Sequence, residues 1–191
     1  MGGTMLIPAV DEGLEGLLRS ALPLPPEVGE VSFEQPSGGW SAQLSRVAVN
    51  LFLYGVARSP LPPVGGGFRV GPDGAREERA ATPLIELQYL VSAWASTVPD
   101  EHRLLGDVVT CFLSHQLLPG ADEVRLALAA DGPDRPRDLW ASLDGPHKAS
   151  FTLVVTAPVP PPAWRPAAPP VQRVEGRTRA VSAVTETGRR P

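Results

Sequence analysis

The side chains that could do chemistry are few and scattered. Three histidines (His102, His115, His147) and one cysteine (Cys111) are all the imidazoles and thiols in 191 residues. Asp100, Glu101 and His102 are metal-ligand types in a row, but consecutive helical residues point in different directions, so the triplet reads as the polar first turn of a helix. His115 lies thirteen residues further along, about 20 Å at helical rise, and cannot share an ion with His102. Gly39-Trp40-Ser41 opens like a nucleophile elbow, yet Gln43 stands where a second glycine is required and no strand-then-helix context surrounds it. Gly65 to Gly67 with Gly71 suggests a phosphate loop, but no Lys-Ser/Thr pair follows and no helix opens there. Cys111 falls between Val108 and Phe112 on an apolar stripe with no basic neighbour, the setting of a structural thiol. A single cysteine forms neither an intramolecular disulfide nor a multi-cysteine zinc site. Asn50 interrupts the most apolar stretch; a buried amide needs partners, so it is expected to satisfy a backbone group or face an oligomer contact. No catalytic, cofactor-binding or metal-ligating residue is assigned.

The elements that would position such groups are clearer. Val10, Leu14, Leu17, Leu18 and Ala21 recur at helical spacing after Pro8, with Asp11, Glu12 and Glu15 on the early turns, and Pro23, Pro25 and Pro26 stop the helix. A short strand is expected at Val28, Val31 and Phe33, then an exposed turn-rich loop, Gln35 to Gln43. Val47 to Val56 is the strongest strand, apolar on both faces and hence central. Pro60 to Ala81 has no period of either kind and reads as a long irregular connection, which in a compact domain signals function or disorder. Leu84 to Ala95 alternates, with Ile85, Leu87, Tyr89 and Val91 inward and Glu86, Gln88 and Ser92 on a face that is wet or against a partner. Asp100 to His115 predicts a second amphipathic helix. Val124 to Ala129 reads as a short strand, Asp138 to Leu143 as a helical turn or two, and Phe151 to Val159 as a final strand ended by Pro160 to Pro162.

Pro and Gly together occupy 42 positions, about 22% of the chain, near the range of low-complexity sequence, while 42% hydrophobic and 20% charged residues are ordinary for a globular domain. The length suits one domain, residues 1–159, plus a Pro/Arg-rich tail, residues 160–191. No apolar run reaches 18 residues and the first residues lack a basic-then-apolar leader, so the expectation is a cytoplasmic protein without membrane association. Residues 1–156 carry 11 basic and 19 acidic side chains, a net −8, and residues 157–191 carry six Arg against two Glu, a net +4. The acidic body repels phosphate backbones, which argues against nucleic acid as a partner. The fold class is α+β: one mixed, mainly antiparallel sheet of about four to five strands with two main helices packed on one face, plus an extended or disordered tail.

Contact with other proteins is the work these features suggest. Trp40, Phe68 and Trp164, aromatic residues in loops, are candidate interface anchors. The loops Gln35 to Gln43 and Pro60 to Ala81, the latter bearing Arg76 and Arg79, with Glu86 and Gln88 on the exposed strand face, are expected to supply inter-subunit or docking contacts. Tail arginines such as Arg165 would pair with acidic groups of a partner. A hydrolase using Ser41 or His102 stays open as a less favoured alternative.

The order of segments, MLIPAVDEGLEGLLRSALP, VSFEQP, RVAVNLFLYGV, LIELQYLVSAWA, PDEHRLLGDVVTCFL and FTLVVTAPV, resembles the N-terminal domain of the cap, or tail-terminator, protein of extracellular contractile injection systems, over residues 5 to 160. Its most specific pieces are Asn50 to Tyr54, Tyr89 to Trp94 and Glu101 to Gly106. The resemblance implies a terminator-like fold and no catalytic residues. It also implies a homohexameric ring seated on the last layer of tube and sheath, away from the baseplate; an assembly chaperone for sheath or tube subunits stays open as the alternative.

Overall fold

The computed structural model describes residues 6–130, 134–143 and 147–168. Within them the chain runs α1 (Leu6–Ala21), β1 (Gly29–Ser32), α2 (Gly38–Gln43), β2 (Val47–Arg58), β3 (Gly67–Val70), β4 (Arg76–Arg79), β5 (Leu84–Trp94), α3 (Val98–Ser114), β6 (Leu117–Leu118), β7 (Ala121–Leu128), α4 (Asp134–Ser142), β8 (Ser150–Pro158) and β9 (Arg165–Pro166). Six strands form the main sheet in the order β1-β2-β5-β8-β7-β6, and β3-β4-β9 form a second, smaller sheet. Only β1 runs parallel to its neighbour in the main sheet. The five expected strands are all present, and the mixed, mainly antiparallel α+β architecture is as the sequence predicts.

The long hairpin of β2 and β5 is the spine. Its register sets Asn50 opposite Ser92 and Leu51 opposite Val91, and a bulge between Leu53 and Gly55 shifts the pairing by one residue. Period-two alternation then sends Val49, Leu51, Leu87, Tyr89 and Val91 to one face, where Leu153 and Val155 of β8 join them. α1 buries Val10, Leu14, Leu17 and Leu18 on that face, and α3 adds Val108, Cys111 and Phe112. Each large side chain removed from water there stabilises the body by ~1.5–3 kcal/mol before entropy is charged against it. Tyr89 is fully buried, and its hydroxyl reaches out of the core to donate to Asp11 Oδ1 at 2.7 Å.

Several local expectations change. α1 already includes Leu6, so Pro8 lies inside its first turn and Asp11 and Glu12 fall a turn deeper than expected. α3 begins two residues early because Thr97 caps it: its side chain accepts from Asp100 N, and Pro99 needs no N–H in the first turn. The two main helices share one face, as expected, but the other face is covered as well, by the short helices α2 and α4. A second, smaller core of Ala48, Leu90, Trp94, Trp140 and Leu143 lies on the opposite face, closed by α4 and by Trp40 and Leu44 at α2. Sequence periodicity missed it because α2 and α4 are short, and a helix of one or two turns shows too few repeats to register.

Candidate functional site

Gln35 to Gln43 is not an open loop: Ser37 accepts from Trp40 N and starts the short helix α2. The larger correction falls on Pro60 to Ala81, which is not structureless. It leaves the far end of β2, crosses a two-bond bridge between Val64 and Thr82, and returns as the β3–β4 hairpin. Pro72-Asp73-Gly74 makes the reversal: Gly74 N donates to Gly71 O at 3.0 Å, Asp73 Oδ1 accepts from Ala75 N at 3.0 Å, and Gly74 takes φ +80°. Pro-Asp-Gly between Phe68-Arg69-Val70 and the charged run was the readable signal for this arm. At its root Gly66 sits at φ +86°, where a Cβ would stand 2.8 Å from Ala81 N.

The start of the tail completes the arm. Arg165 and Pro166 pair with Glu78 and Glu77 as β9, and Ala167 N donates to Arg76 O at 2.9 Å. One face of the arm closes on itself. The guanidinium groups of Arg69 and Arg79 lie over the Trp164 ring at 4.4 and 4.7 Å, and Arg69 Nε donates to Glu77 Oε2 at 2.6 Å. Arg79 Nε is buried without a hydrogen-bond partner among the described residues, so the ring face is its main compensation. The other face stays open. Phe68 is 60% and Val70 75% exposed, Arg76 stacks over Phe68 at 4.0 Å, and Glu78 and Arg165 are exposed beside them. Val56, Leu61 and Val64, between β2 and the arm's root, are exposed as well.

Five of the eight interface candidates, Phe68, Arg76, Arg79, Trp164 and Arg165, therefore come together on one three-stranded arm. The other three do not. Trp40 is half-buried on α2, its ring edge-on to Trp94 at 5.2 Å, so it serves the second core. Glu86 and Gln88 are half-buried on β5 rather than fully exposed, and Glu86 Oε1 accepts from Ser59 Oγ.

The residues weighed for chemistry are dispersed. Ser41 Oγ donates to Gly38 O, while His102 is exposed at the start of α3. His115 caps the end of α3, Nδ1–H donating to Cys111 O at 2.8 Å. Burial pushes the Cys111 thiol up from its ordinary pKa, in keeping with a structural role. Asn50 is fully buried, and its Nδ2 donates to Glu34 O at 2.9 Å, fastening the exit of β1; this is the backbone-satisfying role expected of it. Among the described residues no group of three metal-ligating side chains occurs, and no helix is long and apolar enough to cross a membrane.

The fold is one shared with terminating caps. A PVC sheath/tube terminator of an extracellular contractile injection system, in its extended state, matches with a TM-score of 0.67 at 19% identity, over 97% of this chain and 67% of that one. The tube-terminating cap of the anti-feeding prophage matches with a TM-score of 0.63 at 17% identity, over 88% of this chain and 60% of that one. The chain thus spans about two thirds of the first protein and three fifths of the second. A search of curated proteins finds no match. The sequence pattern of the Pvc16 N-terminal domain matches residues 9–173, and the chain belongs to that family.

Proposed function

We propose that this protein is a structural cap that terminates the inner tube and sheath of a contractile injection system at the end distal to the baseplate, acting as a homohexameric ring. The observation that carries the reading is the terminator fold extending over 97% of the chain. Polymer growth stops when a subunit offers one face complementary to the last ring and no copy of that ring's exposed surface on its other face. The rigid two-core body supplies the first property, and the arm supplies a contact surface set apart from it. The work is done by shape, without a reactive centre, and the partners are tube and sheath subunits and further copies of this chain, assembled in the cytoplasm.

The test is electron microscopy of particles from a strain lacking this protein. Particles of scattered length with unsealed distal ends are expected, and restoring the chain restores uniform length. Particles with the parent's length distribution and closed ends in its absence would defeat the reading. The ring itself is checked by mass photometry, where six chains of 20.2 kDa give about 121 kDa.

A further inference from the structure

The open face of the arm and a hollow at the opposite end of the molecule are complementary. The hollow, about 710 Å³, lies where β2 begins and β5 ends; Val28, Leu44 and Trp94 form part of its wall and Glu27 stands at its rim. Residues 20–45 contain Glu27, Glu30 and Glu34 and no Lys or Arg, and all three glutamates are exposed. Of the two cations that line the hollow, Lys148 pairs with Glu101, while Arg46, whose Nη1 donates to the neutral Pro26 O, keeps its charge as a lone cation against the three glutamates. Val28 is 54% exposed beside this acidic rim. The arm presents the counterpart, two exposed apolar side chains with Arg76 and Arg165 around the one exposed carboxylate of Glu78, a net positive face.

One copy cannot satisfy both surfaces itself. β1 pairs with β2 only as far as Asn50, whereas the arm departs beyond Arg58, eight residues on, which at strand rise is ~26 Å away along the sheet. Unlike surfaces at opposite ends of one subunit make a heterologous contact, which closes into a ring when the rotation permits.

We propose that the arm of each copy seats in the hollow of the next, with Phe68 and Val70 against the Val28, Leu44 and Trp94 wall and Arg76 and Arg165 against Glu27 and Glu30. This rests on the ring reading and specifies its interface.

Charge reversal tests it. One variant carries Arg76→Glu and Arg165→Glu, the other Glu27→Arg and Glu30→Arg, and circular dichroism confirms that each is folded. Self-association of the full chain is followed by mass photometry and native mass spectrometry, alone and with tube protein. Each variant alone is expected to self-associate at least roughly a hundredfold more weakly than the parent, since like charges then face each other across the contact. An equimolar mixture is expected to assemble again, in strict alternation and hence with even copy number only. Phe68→Ala, at an exposed position, is expected to weaken assembly without lowering the melting temperature. A parent that assembles while both variants assemble equally well overturns this interface and leaves the ring standing. Variants that form the ring but no longer hold tube or sheath assign the arm to those partners and overturn it too. A parent that stays monomeric even on tube protein removes the ring reading and this inference together.

Discussion

Trp164→Ala is the perturbation with the sharpest consequence, because Trp164 is the side chain whose ring packs the first stretch of the tail against the arm. The ring is clasped by Arg69 at 4.4 Å and Arg79 at 4.7 Å. At partly exposed positions each such contact contributes ~0.5–1 kcal/mol, so the pair contributes about 1–2 kcal/mol. What remains after truncation is a two-residue ladder and the bond from Ala167 N to Arg76 O, which are weak without a packed side chain above them. A loss of 1–2 kcal/mol shifts the docked-to-released equilibrium by about 5–30-fold. Native-state hydrogen exchange reads this directly: protection of the Ala167 amide falls by that factor, while amides of β5 and the global melting temperature stay at parent values. Arg69→Gln and Arg79→Gln each give about half the effect in free energy. Unchanged exchange at Ala167 would refute the clamp, and an equal fall at β5 would show that the segment is part of the global fold instead.

Asp11 carries a pH signature. Burial raises its pKa above the ordinary 3.8, outweighing the opposing effect of the hydrogen bond from Tyr89, whose own ionisation is pushed well above its usual range. The folded state therefore holds a proton that the unfolded state has lost just above pH 3.8, and stability falls as pH rises through that window. Asp11→Asn keeps an acceptor for Tyr89 and removes the buried charge, so at pH 7 its urea midpoint exceeds the parent's and the gain shrinks below pH 4; an equal difference at every pH counts against the mechanism. Gly66→Ala forces a left-handed φ and a 2.8 Å approach to Ala81 N, costing ~1–3 kcal/mol at the root of the arm, read as faster exchange at Val64 and Thr82. Gly106→Ala, with nothing within 4 Å of the added Cβ on α3, is expected to raise the melting temperature through ~0.5–1 kcal/mol.

Much of the body was legible. α1, α3, β2, β5 and β8 announce themselves because each is long enough to repeat its period several times and carries a continuous apolar face. The arm was not, since β3 and β4 have four residues each and no buried face to impose alternation: all of β3 is exposed. Its turn was spelled out in Pro72-Asp73-Gly74, but the proline- and glycine-rich flanks masked it. Trp40 shows the opposite failure, where a turn-like composition concealed a helix whose purpose is to bring an indole onto Trp94.

Sequence alone determined the α+β class, the two main amphipathic helices, the two long strands and the separation of an acidic body from a basic tail, because each follows from local periodicity and charge. Only the tertiary structure decided that residues nearly a hundred positions apart, Arg69 and Trp164, meet on one arm, and that the sheet has a second core on its other face. The physical reason is that pairing between short, exposed strands and stacking of guanidinium on indole are stabilised by partners distant in the chain, which leave no period in the sequence that brings them together.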